Sequence, residues 1–166
     1  MSVSPARPPL DEVHAAFIQS GVSIIAASRD ARNVPTLVQA LGCRVSADRQ
    51  RVTIFLAASR SEPLLENIRV TRQIAVVFTQ PSTHRSIQLK GTDAARVPMD
   101  GGECELLRRY TAGYSLELHT VGAVEGAAEI LTWCEPADLA AVAFTPSAAF
   151  SQTPGPRAGA PLHLPR

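Results

Sequence analysis

Arg85, Gln88 and Lys90 lie within one run, Pro81-Ser-Thr-His-Arg-Ser-Ile-Gln-Leu-Lys-Gly91, and are the side chains best placed to meet a ligand. Alternation along it sets Ile87 and Leu89 against Ser86, Gln88 and Lys90. A strand with that polar face can line a site for an anionic, ring-bearing ligand. The same pattern also describes the solvated outer face of an antiparallel sheet, and periodicity does not choose between the two. A second candidate is the junction Ala57 to Ser61, where a strand feeds a helix. Free N–H groups and the helix dipole favour a phosphate there. Arg60 adds a full charge, and Ser59 and Ser61 add hydroxyls. An ordinary capped helix with a surface arginine would use the same residues.

Other chemistry finds little support. His14, His84, His119 and His163 show no metal-ligand spacing. A haem axial role for His84 or His119 stays open as an alternative. Gly-x-Ser-x-Gly, Walker and Gly-x-Gly-x-x-Gly elements are missing from the sequence. Cys43, Cys104 and Cys134 suit neither a disulfide framework nor a metal site. Glu103, Glu105 and Glu117 are read as solvated helix faces.

Composition sets the bounds. The chain has 166 residues, 45% hydrophobic and 19% charged, with a net charge of +1. That predicts one domain with a real core and argues against a nucleic-acid surface. The unpaired cysteines fit a reducing compartment. Met1 to Pro9 lacks an apolar signal core, and no apolar run nears the roughly 20 residues of a membrane span. A cytoplasmic protein is expected, without membrane or nucleic-acid partners.

The elements that must position these residues follow in order. Asp11 to Ser20 is predicted as a helix burying Val13, Phe17 and Ile18, with Gly21 ending it. Val22 to Ser28 is a strand. A second runs from Pro35 to Val45 with a bulge or bend at Gly42, and a third covers Arg51 to Leu56. Ser61 is the expected N-cap of a helix that buries Leu64, Leu65 and Ile68. Ile74 to Phe78 and Thr83 to Ala94 form a hairpin about Pro81. Helices follow from Asp100 and over Val124 to Trp133, then a strand over Asp138 to Phe144. Phe150 to Gly159 carries too much Gly and Pro for a regular element. Residues 1–9 and 156–166 are expected to be extended tails. The segment Gln152-Thr-Pro-Gly-Pro could cover a sheet edge or reach a partner subunit.

Several of these pieces resemble the pyridoxamine 5′-phosphate oxidase-like family of FMN-binding split barrels. They are Val22-Ser-Ile-Ile-Ala-Ala-Ser, Val34-Pro-Thr, Asp48-Arg-Gln-Arg-Val-Thr-Ile-Phe-Leu, the Ser-rich junction, Leu64 to Phe78 with its Asn67, and Gln88-Leu-Lys-Gly91. The resemblance implies a mainly β (α+β) fold, a six-stranded antiparallel split β-barrel with flanking helices, in one domain over residues 1–166. It also implies a homodimer with FMN in two interface grooves, and electron exchange with an unidentified small-molecule substrate or electron donor. Ser59, Arg60, Ser61, Gln88 and Lys90 match cofactor-binding positions, with Thr79 and Arg85 as further candidates. No catalytic side chain is assigned, because the flavin would carry the electrons. Alternatives are deazaflavin F420 or haem as the bound group, and a non-catalytic carrier on the same barrel. The chain departs from the pattern at Leu64, where many members place Lys or Arg three residues before the helix asparagine.

Overall fold

The structure, a computed structural model, describes residues 10–162; the expected tail over 1–9, and His163, lie outside that range. Helix α1 (Glu12–Ile18) starts where the Asp11 carboxylate accepts the His14 backbone N–H at 2.7 Å. It buries Ala15, Phe17 and Ile18. Val13, expected on that face, is instead 63% exposed.

Four strands follow: β1 (Ser23–Arg29), β2 (Pro35–Gln39), β3 (Gly42–Val45) and β4 (Val52–Ala57). The single strand expected from Pro35 to Val45 is thus two. β2 pairs with β1 and β3 with β4, in different sheets, so the chain changes sheet at Ala40–Leu41 and forms no bulge at Gly42. A 3-10 turn at Ala58–Arg60 leads into α2 (Glu62–Thr71), then β5 (Ile74–Thr79), β6 (Ser86–Gly91) and β7 (Ala95–Val97). The strand expected over Thr83 to Ala94 is shorter, β6 alone, which pairs with β5; β7, which pairs with β8 (Leu139–Phe144), lies beyond its expected end, where the sequence predicts no strand. Helices α3 (Glu103–Thr120) and α4 (Ala127–Thr132) come between them, and β9 (Ala148–Ser151) comes last.

The sheets have the orders β2-β1-β5-β6-β9 and β3-β4-β8-β7, and every pairing is antiparallel. Because β2 continues into β3 and β6 into β7, the circuit β1, β2/β3, β4, β8, β7/β6, β5 returns to β1. That closed circuit is the expected six-stranded split barrel. Its interior holds Ile24, Ala26, Ile54, Leu56, Val76, Phe78, Leu89, Val142 and Phe144, all essentially inaccessible.

A smaller core forms outside the second sheet, where Leu106 and Leu107 of α3 cover Leu41, Phe55, Ala57, Leu139 and Ala141. Strand β8 is consequently buried on both faces, which is why Leu-Ala-Ala-Val-Ala-Phe shows no polar alternation. Two carboxylates read as solvated are structural instead. Glu103 is buried and accepts the Asp100 and Gly101 N–H groups at 2.6 and 2.8 Å. Glu117 accepts Gln80 Nε2 at 2.8 Å and the Ser82 N–H at 3.1 Å, tying α3 to the β5–β6 hairpin.

The C-terminal segment is more regular than its composition suggests. β9 pairs with β6, and the chain then folds back along it, with Ser151 N–H donating to Ala160 O at 2.9 Å and Leu162 N–H to Ala149 O at 2.9 Å. The segment covers its own sheet edge. Among the described residues, no helix is long and apolar enough to cross a membrane.

Candidate functional site

The residues singled out in the sequence fall into two groups on the fold. Thr79, Gln88 and Lys90 share the outer face of the β5–β6 ladder, where Thr79 opposes Ser86, Val77 opposes Gln88 and Ala75 opposes Lys90. Ser86 Oγ donates to Thr79 Oγ1 at 2.9 Å, which places this pair on one side at the hairpin end. Ile25 and Ala27 of β1 oppose Val77 and Ala75 on the other flank, so the face has an apolar, half-buried centre. Gln88 is half-buried, and its amide has no hydrogen-bond partner among the described residues. Lys90 is exposed, with Nζ 5.2 Å from the centroid of Phe150. Arg85 leaves this row: its guanidinium lies 4.2 Å over the ring of Phe17, against α1.

The other group sits at the β4–α2 junction. There Asp138, distant in sequence, takes the donors expected to hold a phosphate: Ser59 N–H at 2.8 Å and Ser59 Oγ at 2.6 Å. Arg60 points its Nη2 to the Trp133 carbonyl at 2.6 Å. Ser61 stands at the N-cap position of α2 but is buried, and its side chain makes no capping bond. The junction binds an anion, but that anion is the protein's own carboxylate.

The Ser59 hydroxyl, then its N–H, holds the Asp138 carboxyl below the ordinary value of 3.8, against a smaller upward push from desolvation. A lowered folded value means that this stabilisation is complete above the ordinary carboxyl range and is lost as pH falls through the lowered value. The Asp138→Asn variant is therefore expected to be less stable than wild type at neutral pH. The difference should close as unfolding midpoints are followed down below about pH 4. A gap unchanged across that range would contradict the role of the charge.

Sequence reasoning missed Arg29. A cavity of about 400 Å³ on the first sheet's outer face is lined by Arg29, Ala75, Lys90, Thr92 and Ser147, among others. Two cations from strands two positions apart in the sheet meet around it. The available signal was the alternation of β1, whose outward series Ile25, Ala27, Arg29 ends on a charge. His84, in the hairpin turn with φ of 58°, and His119, near the end of α3, do not line this cavity. Cys104 and Cys134 border a separate groove beside α3 and α4, of about 480 Å³. Among the described residues no group of three or more His, Cys, Asp or Glu could hold a metal ion.

A flat anionic cofactor of the kind expected from the sequence would meet free groups on the sheet face and not at the junction. The face supplies flat apolar surface, an unpaired amide and two cations; the junction's donors are already bound.

No protein-family model matches the chain, and neither does any curated protein. Solved structures do. HupZ of Group A Streptococcus aligns with a TM-score of 0.54, at 13% identity, over 90% of this chain and 100% of that one. An F420 reductase gives 0.54 at 14% identity over 84% and 98% of the two chains. A candidate pyridoxamine 5′-phosphate oxidase from Lactobacillus delbrueckii gives 0.51 at 15% identity over 86% and 93%. The chain has the fold of the pyridoxamine 5′-phosphate oxidase-like split barrels, mostly β with flanking helices.

Proposed function

We propose that the protein binds FMN on the outer face of its five-stranded sheet and uses it as an oxidoreductase on a small molecule. We further propose that it does so as a homodimer closing over that face. The observation carrying this reading is the half-buried apolar patch of Ile25, Ala27, Ala75 and Val77, edged by the unpaired Gln88 amide and by Lys90 and Arg29. A flat ring would lie on the patch and exclude water from it. Gln88 would hydrogen-bond the ring's polar edge, and Lys90 and Arg29 would hold the phosphate. FMN, when bound, supplies the electron-transfer chemistry. The protein's own part is to bind and orient it and to shield one side. The likeness to an F420 reductase supports deazaflavin as a second occupant of the same face.

Absorbance after mixing with FMN and removing unbound ligand tests this directly. A retained flavin band is expected, with FMN affinity falling at least tenfold in Lys90→Gln, the loss of one charge-assisted contact being worth about 1.5–3 kcal/mol. Bleaching of the band by NAD(P)H would support catalysis, and a bound but inert flavin would favour a carrier. A protein that stays colourless overturns the FMN assignment; F420 is then added in its place and its retention read by its own absorbance.

A further inference from the structure

A second cavity, of about 830 Å³, opens between α2 and β7, and none of its lining residues belongs to the Lys90 cavity. Its volume lies in the range of small-molecule sites. Ile68 and Ala94 are buried beneath it and Leu65 is half-buried, giving an apolar floor.

The charges around it are unevenly paired. Arg69 is bound by Glu66 through two bonds of 2.6 and 2.8 Å, and the Asp138 carboxylate keeps its charge while accepting from the neutral Ser59. Arg72 meets only a neutral oxygen, the Asp93 carbonyl, at 3.1 Å. Arg96 has no hydrogen bond or ion pair among the described residues. The Glu62 carboxylate, at the far end of α2, starts ten residues before Arg72, about 15 Å along a helix axis. That exceeds the screening length of about 8–10 Å in physiological salt, so Glu62 does not neutralise Arg72.

Arg72 is also held in place by its backbone. It ends α2 with φ of 57°, a left-handed conformation that glycine or asparagine adopts at less cost. Its N–H donates to Ile68 O at 2.8 Å and its C=O accepts Ala94 N–H at 3.0 Å, which ties it beside the strand carrying Arg96. Two arginines lining one cavity with an apolar floor suit a carboxylate on a hydrocarbon body: guanidinium groups match carboxylate oxygens, and the floor takes the rest.

We propose that this cavity is a second ligand site, for a small organic carboxylate with an apolar body, clasped by Arg72 and Arg96. It is independent of the flavin reading, and its test uses protein with no flavin added. Titration with 1-naphthoate, followed by calorimetry, is expected to show saturable 1:1 binding. The affinity should fall at least tenfold in Arg96→Gln and in Arg72→Gln, stay unchanged in Lys90→Gln, and weaken with salt. The neutral 1-naphthamide should bind at least tenfold more weakly than the acid. Arg96 lies exposed on an edge strand, so Arg96→Gln keeps the test alive even if Arg72→Gln does not fold. Absence of saturation, an amide that binds as well as the acid, or an affinity that follows Lys90→Gln rather than Arg96→Gln would each overturn the proposal.

Discussion

Replacing Gly21 by alanine is expected to cost about 3 kcal/mol of unfolding free energy, summing about 1–2 for a left-handed non-glycine residue and about 1–3 for overpacking. Gly21 has φ of +81°, and a Cβ there would lie 2.6 Å from both the Gly113 carbonyl carbon and the Tyr114 nitrogen. These are backbone atoms of α3, so no side chain can rotate away. Retreat of the helix is resisted by Tyr110, whose buried hydroxyl shares its one proton between Ile18 O at 3.1 Å and Val22 O at 3.0 Å on either side of the same turn. The reciprocal change, Gly113→Ala, has a milder clash of 3.0 Å with Ser20 O. It also gains about 1 kcal/mol of helix propensity, so its net effect should stay within about 1 kcal/mol of zero. Urea unfolding of the pair checks both values. Equal midpoints for the two variants would mean that α3 does not press on this turn.

How α3 docks is a tertiary matter that the sequence hides, and the same division runs through the whole fold. Strands β1, β4, β5 and β8 were legible because apolar runs or alternation bounded by polar turns are local signals. The change of sheet between β2 and β3 was not, because only the hydrogen-bonding partner changes there: Ala40 N–H still donates to Ile24 O, and Leu41 N–H already donates to Phe55 O. β9 was missed for a related reason. Its pairing with β6 is supplied by a distant edge, and the Gly- and Pro-rich residues after it disguise a segment that folds back on its own sheet.

The candidate site divides in the same way. Gln88 and Lys90 could be placed on one face from alternation alone, since a strand's period needs no partner. The phosphate reading of Ser59 and Arg60 rested on local helix-end physics, which is sound as far as it goes: an anion is indeed bound there. What sequence could not show is that Asp138, 79 positions away, supplies it. Arg29 was overlooked because its meeting with Lys90 depends on β5 lying between β1 and β6.

Val77→Lys is expected to leave the fold intact, yet raise the dimer dissociation constant at least a hundredfold and abolish flavin retention. Val77 lies at the middle of the first sheet, opposite Ile25 on one side and Gln88 on the other. Its side chain is half-buried on the outer face, so a lysine stem can run along the sheet and keep its ammonium in water while the subunit is alone. Subunit stability should therefore change by no more than about 1 kcal/mol. In a dimer closed over this face the charge would be stripped of water with no carboxylate opposite, in duplicate. An uncompensated buried charge costs several kcal/mol, and about 3 kcal/mol already corresponds to roughly a hundredfold in dissociation. Val77→Ile adds one methylene without charge and should keep both the dimer and the flavin. Light scattering across a dilution series reads the association, and the retained flavin band reads the site. Loss of both in Val77→Lys with an unchanged thermal midpoint would place the interface and the flavin on the same face. A lysine variant that stays dimeric and yellow would place both the interface and the flavin elsewhere on the barrel.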